Sequence, residues 1–151
     1  MQLEDRSKYR NYLRTPVETV LNIGWLSSEQ DYSKGQVDSA IIEKFAQILV
    51  QDGAIDVHVN WERSFDKCAL SGKENVFASH GGRRVWLGGS EVWLPAASGS
   101  EYFASPSLVY HYMKNHQYLP PREFLDAIEA FDLTGTYNAQ KTYLQLIKGH
   151  F

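Results

Sequence analysis

The hydrophobic positions of this chain follow two periods, one typical of helices and one typical of strands. After Val37 the apolar side chains recur every three or four residues, which predicts an amphipathic helix. Asp38 or Ser39 can cap its start, and Gly53 follows where a left-handed residue would end it. Apolar and polar residues then alternate over 55–61, which predicts a strand with one buried and one solvated face.

Three further segments are predicted to be strands. The run TVLNIGWL over 19–26 is apolar and β-branched, as in a buried strand. Two short apolar runs, 84–87 and 91–94, flank Gly88-Gly89-Ser90, and glycines supply the positive φ that tight hairpin turns need. We therefore expect a hairpin there, with Pro95 ending its second strand because proline has no N–H for the ladder.

Helix start signals mark the last third of the chain. Ser105-Pro106 and Pro120-Pro121 each precede an apolar stripe at helical spacing, and a last helix is predicted over 138–148. The predicted inward-facing positions of these three helices are Leu108, Val109, Tyr112, Met113, Phe124, Leu125, Ile128, Phe131, Tyr143, Leu144 and Ile147. Strands and helices are grouped rather than alternating, which favours an α+β fold with a small, mainly antiparallel sheet packed against about four helices.

Length and composition indicate one globular domain. The 151 residues, 43% hydrophobic and 22% charged, are ordinary globular usage, and residues 1–151 read as a single domain. Residues 1–15 are predicted to form a polar N-terminal arm that is flexible or helical. The charged N-terminus does not resemble a signal peptide, and no apolar window approaches the roughly 18 residues of a membrane span. A single cysteine suits a reducing compartment, so we expect a cytoplasmic protein without membrane contact.

The net charge of −3 argues against nucleic acid as the main ligand, because phosphate binding needs a basic surface. Cys68 could act as a nucleophile only with His58 or His80 beside it, and a lone cysteine is more often a small buried apolar residue. His58 is predicted to lie on the solvated face of its strand.

A metal site could be assembled from His58, Asp66, Cys68 and His80, but their spacing matches no compact zinc pattern. His111 and His116 are five apart on the predicted helix, so we expect them on different faces and not on one ion. Residues 79–84 are predicted to form a solvated turn rather than a phosphate-binding loop. No catalytic residue, metal or cofactor is therefore predicted.

The order of the segments along the chain is similar to that found in one protein family. LNIGWL comes first, followed by a polar loop, a helix and a variable middle. GSEVWLP and YFASPSLVYHYMKNHQYLPPREFLDAI complete the order. Over about residues 20–128, and most densely from Gly89 onward, this arrangement resembles a family of small bacterial proteins encoded beside toxin genes in contact-dependent inhibition and other polymorphic toxin systems. Many members of that family carry a His-x-Cys-x-x-Cys element. The corresponding residues 66–71 keep only one cysteine here, which argues against a shared metal or redox role.

The resemblance implies a non-enzymatic immunity protein that binds one cognate toxin, covering its active site or its access to substrate. A basic nuclease is the expected toxin, since such an enzyme needs positive charge to hold nucleic acid. The predicted contact residues come from the loop-rich half of the chain: Asp31, Asp38, Asp56, Trp61, Glu62 and Asp66. Trp61 would be an anchor, although a core tryptophan is an equal alternative. Two other functions stay open, a small enzyme with a Cys/His site and a structural or regulatory module.

Overall fold

A five-stranded sheet organises residues 2–151, the part of the chain that this computed structural model describes. The elements in chain order are β1 (Lys8–Tyr9), β2 (Val17–Asn22), α1 (Ser39–Leu49), β3 (Ile55–Asp56), β4 (His58–Val59), β5 (Phe77–His80), β6 (Arg83–Trp86), β7 (Glu91–Pro95), β8 (Tyr102–Pro106), α2 (Val109–Asn115), α3 (Arg122–Ala130), β9 (Tyr137–Asn138) and α4 (Ala139–Leu146). The main sheet has the order β1-β2-β8-β7-β4, and only β2 and β8 run parallel. The pairs β3–β9 and β5–β6 form two small separate sheets. The predicted α+β fold, with a mainly antiparallel sheet and four helices over residues 2–151, is confirmed.

The main sheet separates two hydrophobic clusters. Helices α1, α2 and α3 cover one face, where Phe45, Phe103 and Phe124 meet edge to face. Helix α4 covers the other face, where Trp93 packs against Tyr9 and Tyr143. Strand β7, which lies between β8 and β4, is therefore apolar on both faces over residues 92–94. This explains its run of consecutive buried residues, which has no polar alternation.

The N-terminal residues are part of the fold. Within residues 2–15 the structure has strand β1 and no helix, in place of the predicted flexible or helical arm. Tyr9 is fully buried and donates from its hydroxyl to Glu91 Oε2 at 3.0 Å. The Asp5 carboxylate accepts from the Tyr118 hydroxyl at 2.7 Å and from the Gly24 amide at 3.0 Å. These buried and partly buried contacts fix the segment against the rest of the fold.

The predicted hairpin over 84–94 is wrong. Strand β6 pairs instead with the preceding β5 around Gly81–Gly82, both at positive φ and exposed to solvent, as expected of the predicted solvated turn. Strand β7 pairs with β8 and β4. The segment 88–90 therefore connects two different sheets. Strand β2 lies within two to four residues of its predicted bounds.

The predicted strand over 55–61 is divided between two sheets. Strand β3 pairs with β9, and β4 pairs with β7, so the alternation does not describe one strand with one wet face. His58, predicted to face solvent, is buried. Its Nε2 lies 2.8 Å from the Leu49 carbonyl and its Nδ1 2.8 Å from Ser90 Oγ.

The helices begin largely where their local signals predict. The Asp38 side chain caps α1 by accepting from the Ala40 amide at 2.9 Å. Helix α1 ends at Leu49, four residues before Gly53. Helix α2 starts only at Val109, because Ser105 and Pro106 are the last residues of strand β8, so that predicted helix start is wrong.

Helices α3 and α4 follow the pattern with one exception. Pro121 precedes the first turn of α3, and the four predicted inward positions on and just after it are buried. Asn138 caps α4 by accepting from the Lys141 amide. Leu144 is 52% exposed, so its predicted burial is wrong, whereas Tyr143 and Ile147 are buried. None of the helices over residues 2–151 has the length and apolar character needed to cross a bilayer.

Candidate functional site

The segment 61–67 has no regular secondary structure, yet backbone contacts hold it against Gly88 and Gly89. The Asp66 amide donates to the Gly88 carbonyl at 2.9 Å, and the Glu62 amide donates to the Gly89 carbonyl at 2.7 Å. A Cβ on Gly88 would lie 2.2 Å from the Asp66 carbonyl oxygen, and one on Gly89 would lie 2.7 Å from the Phe65 ring. The two glycines are thus required for the close approach of this segment, and not for a hairpin turn.

Two aromatic side chains project from this segment. Trp61 is 50% exposed and Phe65 is 48% exposed, with their ring centroids 6.3 Å apart. Trp61 also stacks on the buried His58 ring at 4.7 Å, with an angle of 29° between the planes. Trp61, which was predicted to be either a partner anchor or a core residue, is therefore half-exposed and supported by the His58 ring, and it is not part of the core.

A small acidic cavity of about 120 Å³ lies beside the segment, and we call it the acidic slot. Three acidic residues line it, Glu62, Asp66 and Glu91, together with the aromatic residues Tyr12 and Trp25. None of the described residues that line the slot is a lysine or an arginine. At roughly 30 Å³ per water molecule, the slot holds about four waters. It is smaller than the 300–1,000 Å³ typical of cavities that enclose metabolites.

Glu91 gives the slot a buried, oriented carboxyl group. It accepts from Trp93 Nε1 and from the Tyr9 hydroxyl, each at 3.0 Å. Burial raises the pKa of Glu91 above its usual value, and hydrogen bonds from Trp93 and Tyr9 oppose that rise. A cationic group placed in the slot would favour the charged carboxylate. The slot therefore suits an ammonium or guanidinium group.

The six predicted contact residues divide into two sets. Trp61, Glu62 and Asp66 lie together on the segment 61–67. The other three are placed elsewhere. Asp31 is exposed on the loop after β2, and Asp56 accepts from the His58 amide at 2.9 Å. Asp38 caps α1 and lines a broad, open groove of about 800 Å³ between α1 and α2.

A second exposed aromatic pair, which the sequence did not suggest, lies on the β5–β6 ribbon. Phe77 and Trp86 face each other across the two strands with centroids 5.4 Å apart. The Arg84 guanidinium lies 4.9 Å from the Phe77 ring centroid and 5.6 Å from that of Trp86. Once β5 is paired with β6, the period of two along a strand places these three side chains on one face. This second surface is cationic.

A third feature corrects the predictions for the histidines. Cys68, His111 and His116 converge, with one ligand atom from each lying within 4.8 Å of the others. The expectation that His111 and His116 point to different faces is wrong because α2 ends at Asn115. His116 has already left the helix, with φ of −123°. The two imidazole centroids are 5.0 Å apart, and Cys68 Sγ lies 3.4 Å from His116 Nε2.

The other predicted ligands do not join this cluster. His58 is bonded to Leu49 and Ser90, His80 pairs with Glu43 at 3.0 Å, and Asp66 is exposed on the segment 61–67. Cys68 is 1% exposed, so its sulfur is poorly placed to attack a substrate. Burial and the neighbouring His116 and Lys73 lower the pKa of His111.

The fold and these surfaces define a small α+β protein, built around one five-stranded main sheet, with an aromatic, partly acidic surface and a Cys–His cluster. The chain belongs to the family described as "Domain of unknown function (DUF7919)", whose family model matches residues 1–129. No curated protein and no solved structure matches the chain.

Proposed function

We propose that this chain is an immunity protein that neutralises a cognate toxin by binding it through the segment 61–67 and the acidic slot. The observation that carries the proposal is the pairing of two half-exposed aromatic rings, Trp61 and Phe65, with a slot lined by three acidic residues. Exposed aromatics that are packed on a rigid support are the common anchors of protein interfaces. The resemblance to immunity proteins of polymorphic toxin systems supports the same role.

The charge of the slot favours a basic partner. An arginine or lysine side chain of the toxin would enter between Glu62, Asp66 and Glu91, and its hydrocarbon part would lie against Tyr12 and Trp25. A nuclease presents such side chains because it must hold phosphate groups. Filling its cationic site with this protein's carboxylates would block the approach of nucleic acid. This role places the protein in the cytoplasm, where the toxin would act.

The surface on β5–β6 is the less suitable candidate. Its rings are exposed to a similar degree, but the Arg84 guanidinium lies over both of them. Like charges across an interface cost several kcal/mol, so a basic toxin is expected to avoid this surface.

The proposal is tested with the toxin domain encoded beside this gene. Co-expression of the wild-type chain should protect cells from that toxin, and calorimetry should show a 1:1 complex. Trp61→Ala should weaken binding at least 30-fold, the usual cost of losing an anchor of 2 kcal/mol or more. Trp86→Ala is the matched control, with the same substitution at a similarly exposed tryptophan, and should bind like the wild type.

Charge reversal tests the slot separately. The double variant Glu62→Lys, Asp66→Lys should slow association and remove most of the salt dependence of the rate, because surface charges act mainly on encounter. An adjacent gene product that the wild-type chain neither binds nor inhibits would refute the proposed function. Equal protection by the wild type, Trp61→Ala and the double variant would refute the proposed surface.

A further inference from the structure

We propose that Cys68, His111 and His116 form a binding site for one soft transition-metal ion, with Zn²⁺ as the expected metal. One sulfur and two imidazole nitrogens are the donor set that proteins use for zinc, and hard cations such as Mg²⁺ and Ca²⁺ prefer oxygen. Three protein ligands leave the fourth tetrahedral position for a water molecule. The site is independent of the proposed immunity function.

The ligand spacing fits a tetrahedral ion. With Zn–S near 2.3 Å and Zn–N near 2.0–2.1 Å, a sulfur and a nitrogen on the same ion lie about 3.5 Å apart. The structure has Cys68 Sγ 3.4 Å from His116 Nε2, and all three ligand atoms lie within 4.8 Å of one another. Ligand atoms at the 4.8 Å limit would have to approach by about 1.3 Å, through rotation of the side chains around the ion.

His111 provides the second, independent observation. Its side chain is 6% exposed, and its Nε2 is buried without a hydrogen-bond partner among residues 2–151. A buried polar atom without a partner has lost its hydrogen bonds to water and gained none in return, so such atoms are rare in stable folds. A thiol–imidazole hydrogen bond between Cys68 and His116 would explain their contact but leaves His111 unexplained. A shared metal ion accounts for all three side chains.

The surroundings of Cys68 support a thiolate ligand. The Ser71 amide points at Cys68 Sγ at 3.4 Å, and such an amide stabilises negative charge on sulfur. A tight turn carries the cysteine, with the Cys68 amide donating to the Lys73 carbonyl and the Gly72 amide donating to the Cys68 carbonyl, each at 2.9 Å. His116 is only partly buried, which gives an ion a path from solvent.

The ion would join two parts of the fold that are distant in sequence. The turn at 68–73 contacts α2 through the Ala69 amide, which donates to the Tyr112 hydroxyl at 3.2 Å. Coordination would add a bond from this turn to the end of α2. The turn directly follows the exposed segment 61–67 in the chain. We expect Zn²⁺ to raise the melting temperature of the wild-type chain, because it binds the folded state and not the unfolded one.

The test uses the full chain, purified without metal and then titrated with Zn²⁺ and Co²⁺. One Co²⁺ should bind with an intense thiolate-to-cobalt charge-transfer band and the visible bands of a tetrahedral site. X-ray absorption at the zinc edge should show one sulfur near 2.3 Å and nitrogen or oxygen near 2.0–2.1 Å. This measurement needs no variant, so it decides the question even if a substituted chain fails to fold.

Single substitutions assign the ligands. Cys68→Ser should lose the charge-transfer band, and His111→Asn and His116→Asn should each weaken Zn²⁺ binding by at least 10-fold and lose the metal-dependent rise in melting temperature. His80→Asn is the matched control, because His80 lies outside the cluster and pairs with Glu43. Failure of the wild type to bind Co²⁺ with sulfur ligation, or unchanged binding by His111→Asn, would overturn the site.

Discussion

Replacing Gly88 with alanine tests whether the fold depends on the close contact beneath the segment 61–67. Gly88 has φ of +100°, and an alanine held in the left-handed region costs about 1–2 kcal/mol. The new Cβ would lie 2.2 Å from the Asp66 carbonyl oxygen, a distance that requires the backbone of 61–67 to move. That movement would weaken or break two hydrogen bonds, from Asp66 N to the Gly88 carbonyl and from Gly88 N to Ser107 Oγ. Each is worth about 0.5–1.5 kcal/mol, so the total expected loss of unfolding free energy is about 2–5 kcal/mol.

Gly53→Ala supplies the matched control. Gly53 has φ of +114°, but no atom lies within 4 Å of its added Cβ. It therefore carries the backbone strain without the collision, and the loss of unfolded-state entropy is the same for both substitutions. Urea unfolding followed by far-ultraviolet circular dichroism should show Gly88→Ala to be less stable than Gly53→Ala by about 1–3 kcal/mol. Equal stability of the two variants would refute the idea that contact with Asp66 makes Gly88 necessary.

Two further predictions concern the core and the buried carboxyl. Phe124→Ala should cost about 3–5 kcal/mol, because this fully buried ring packs against Phe45 and Phe103, whereas Leu144→Ala on the exposed face of α4 should change stability by less than about 0.5 kcal/mol. Comparable losses in the two variants would contradict the assignment of the core. For Glu91, the raised pKa means that the folded state favours the protonated form. Stability should therefore be highest below the unfolded pKa and fall as the pH rises through the folded one. Measured from acidic to neutral pH, the unfolding free energy of the wild type should fall relative to that of Glu91→Gln, and parallel profiles would contradict the prediction.

The features that the sequence predicted well are those with local causes. The signals for helix α1 are its capping residue, Asp38, and its apolar stripe, and both lie within one short stretch of sequence. The same holds for α3 after Pro121, and for the grouping of strands and helices that indicates an α+β fold. Of the predicted contact residues, the three that lie together are also close in sequence. The proximity of Trp61, Glu62 and Asp66 therefore needed no knowledge of the topology.

The failures came from contacts between distant residues. Ser105-Pro106 ends a strand here, and the same dipeptide would begin a helix equally well, since proline lacks the N–H in both positions. Gly88 and Gly89 have the composition of a hairpin turn, but their small size serves a contact with residues 65 and 66. The Cys–His cluster was missed because it depends on α2 ending one residue before His116 and on a turn 43 residues upstream of His111.

The buried His58 connects the interior of the fold to the proposed binding surface. Its Nε2 faces the Leu49 carbonyl, which can only accept, so this nitrogen carries the proton and Nδ1 accepts from the Ser90 hydroxyl. Burial lowers the pKa of His58, which agrees with a neutral ring. Because both nitrogens are bonded, the ring is fixed, and Trp61 stacks on it at 4.7 Å. A partner that contacts Trp61 would meet a side chain that is already ordered, which avoids about 0.5–1.5 kcal/mol of ordering cost on binding. An irregular segment can thus present a rigid anchor, because the rigidity comes from the end of α1 and from Ser90, just before β7, rather than from the segment itself.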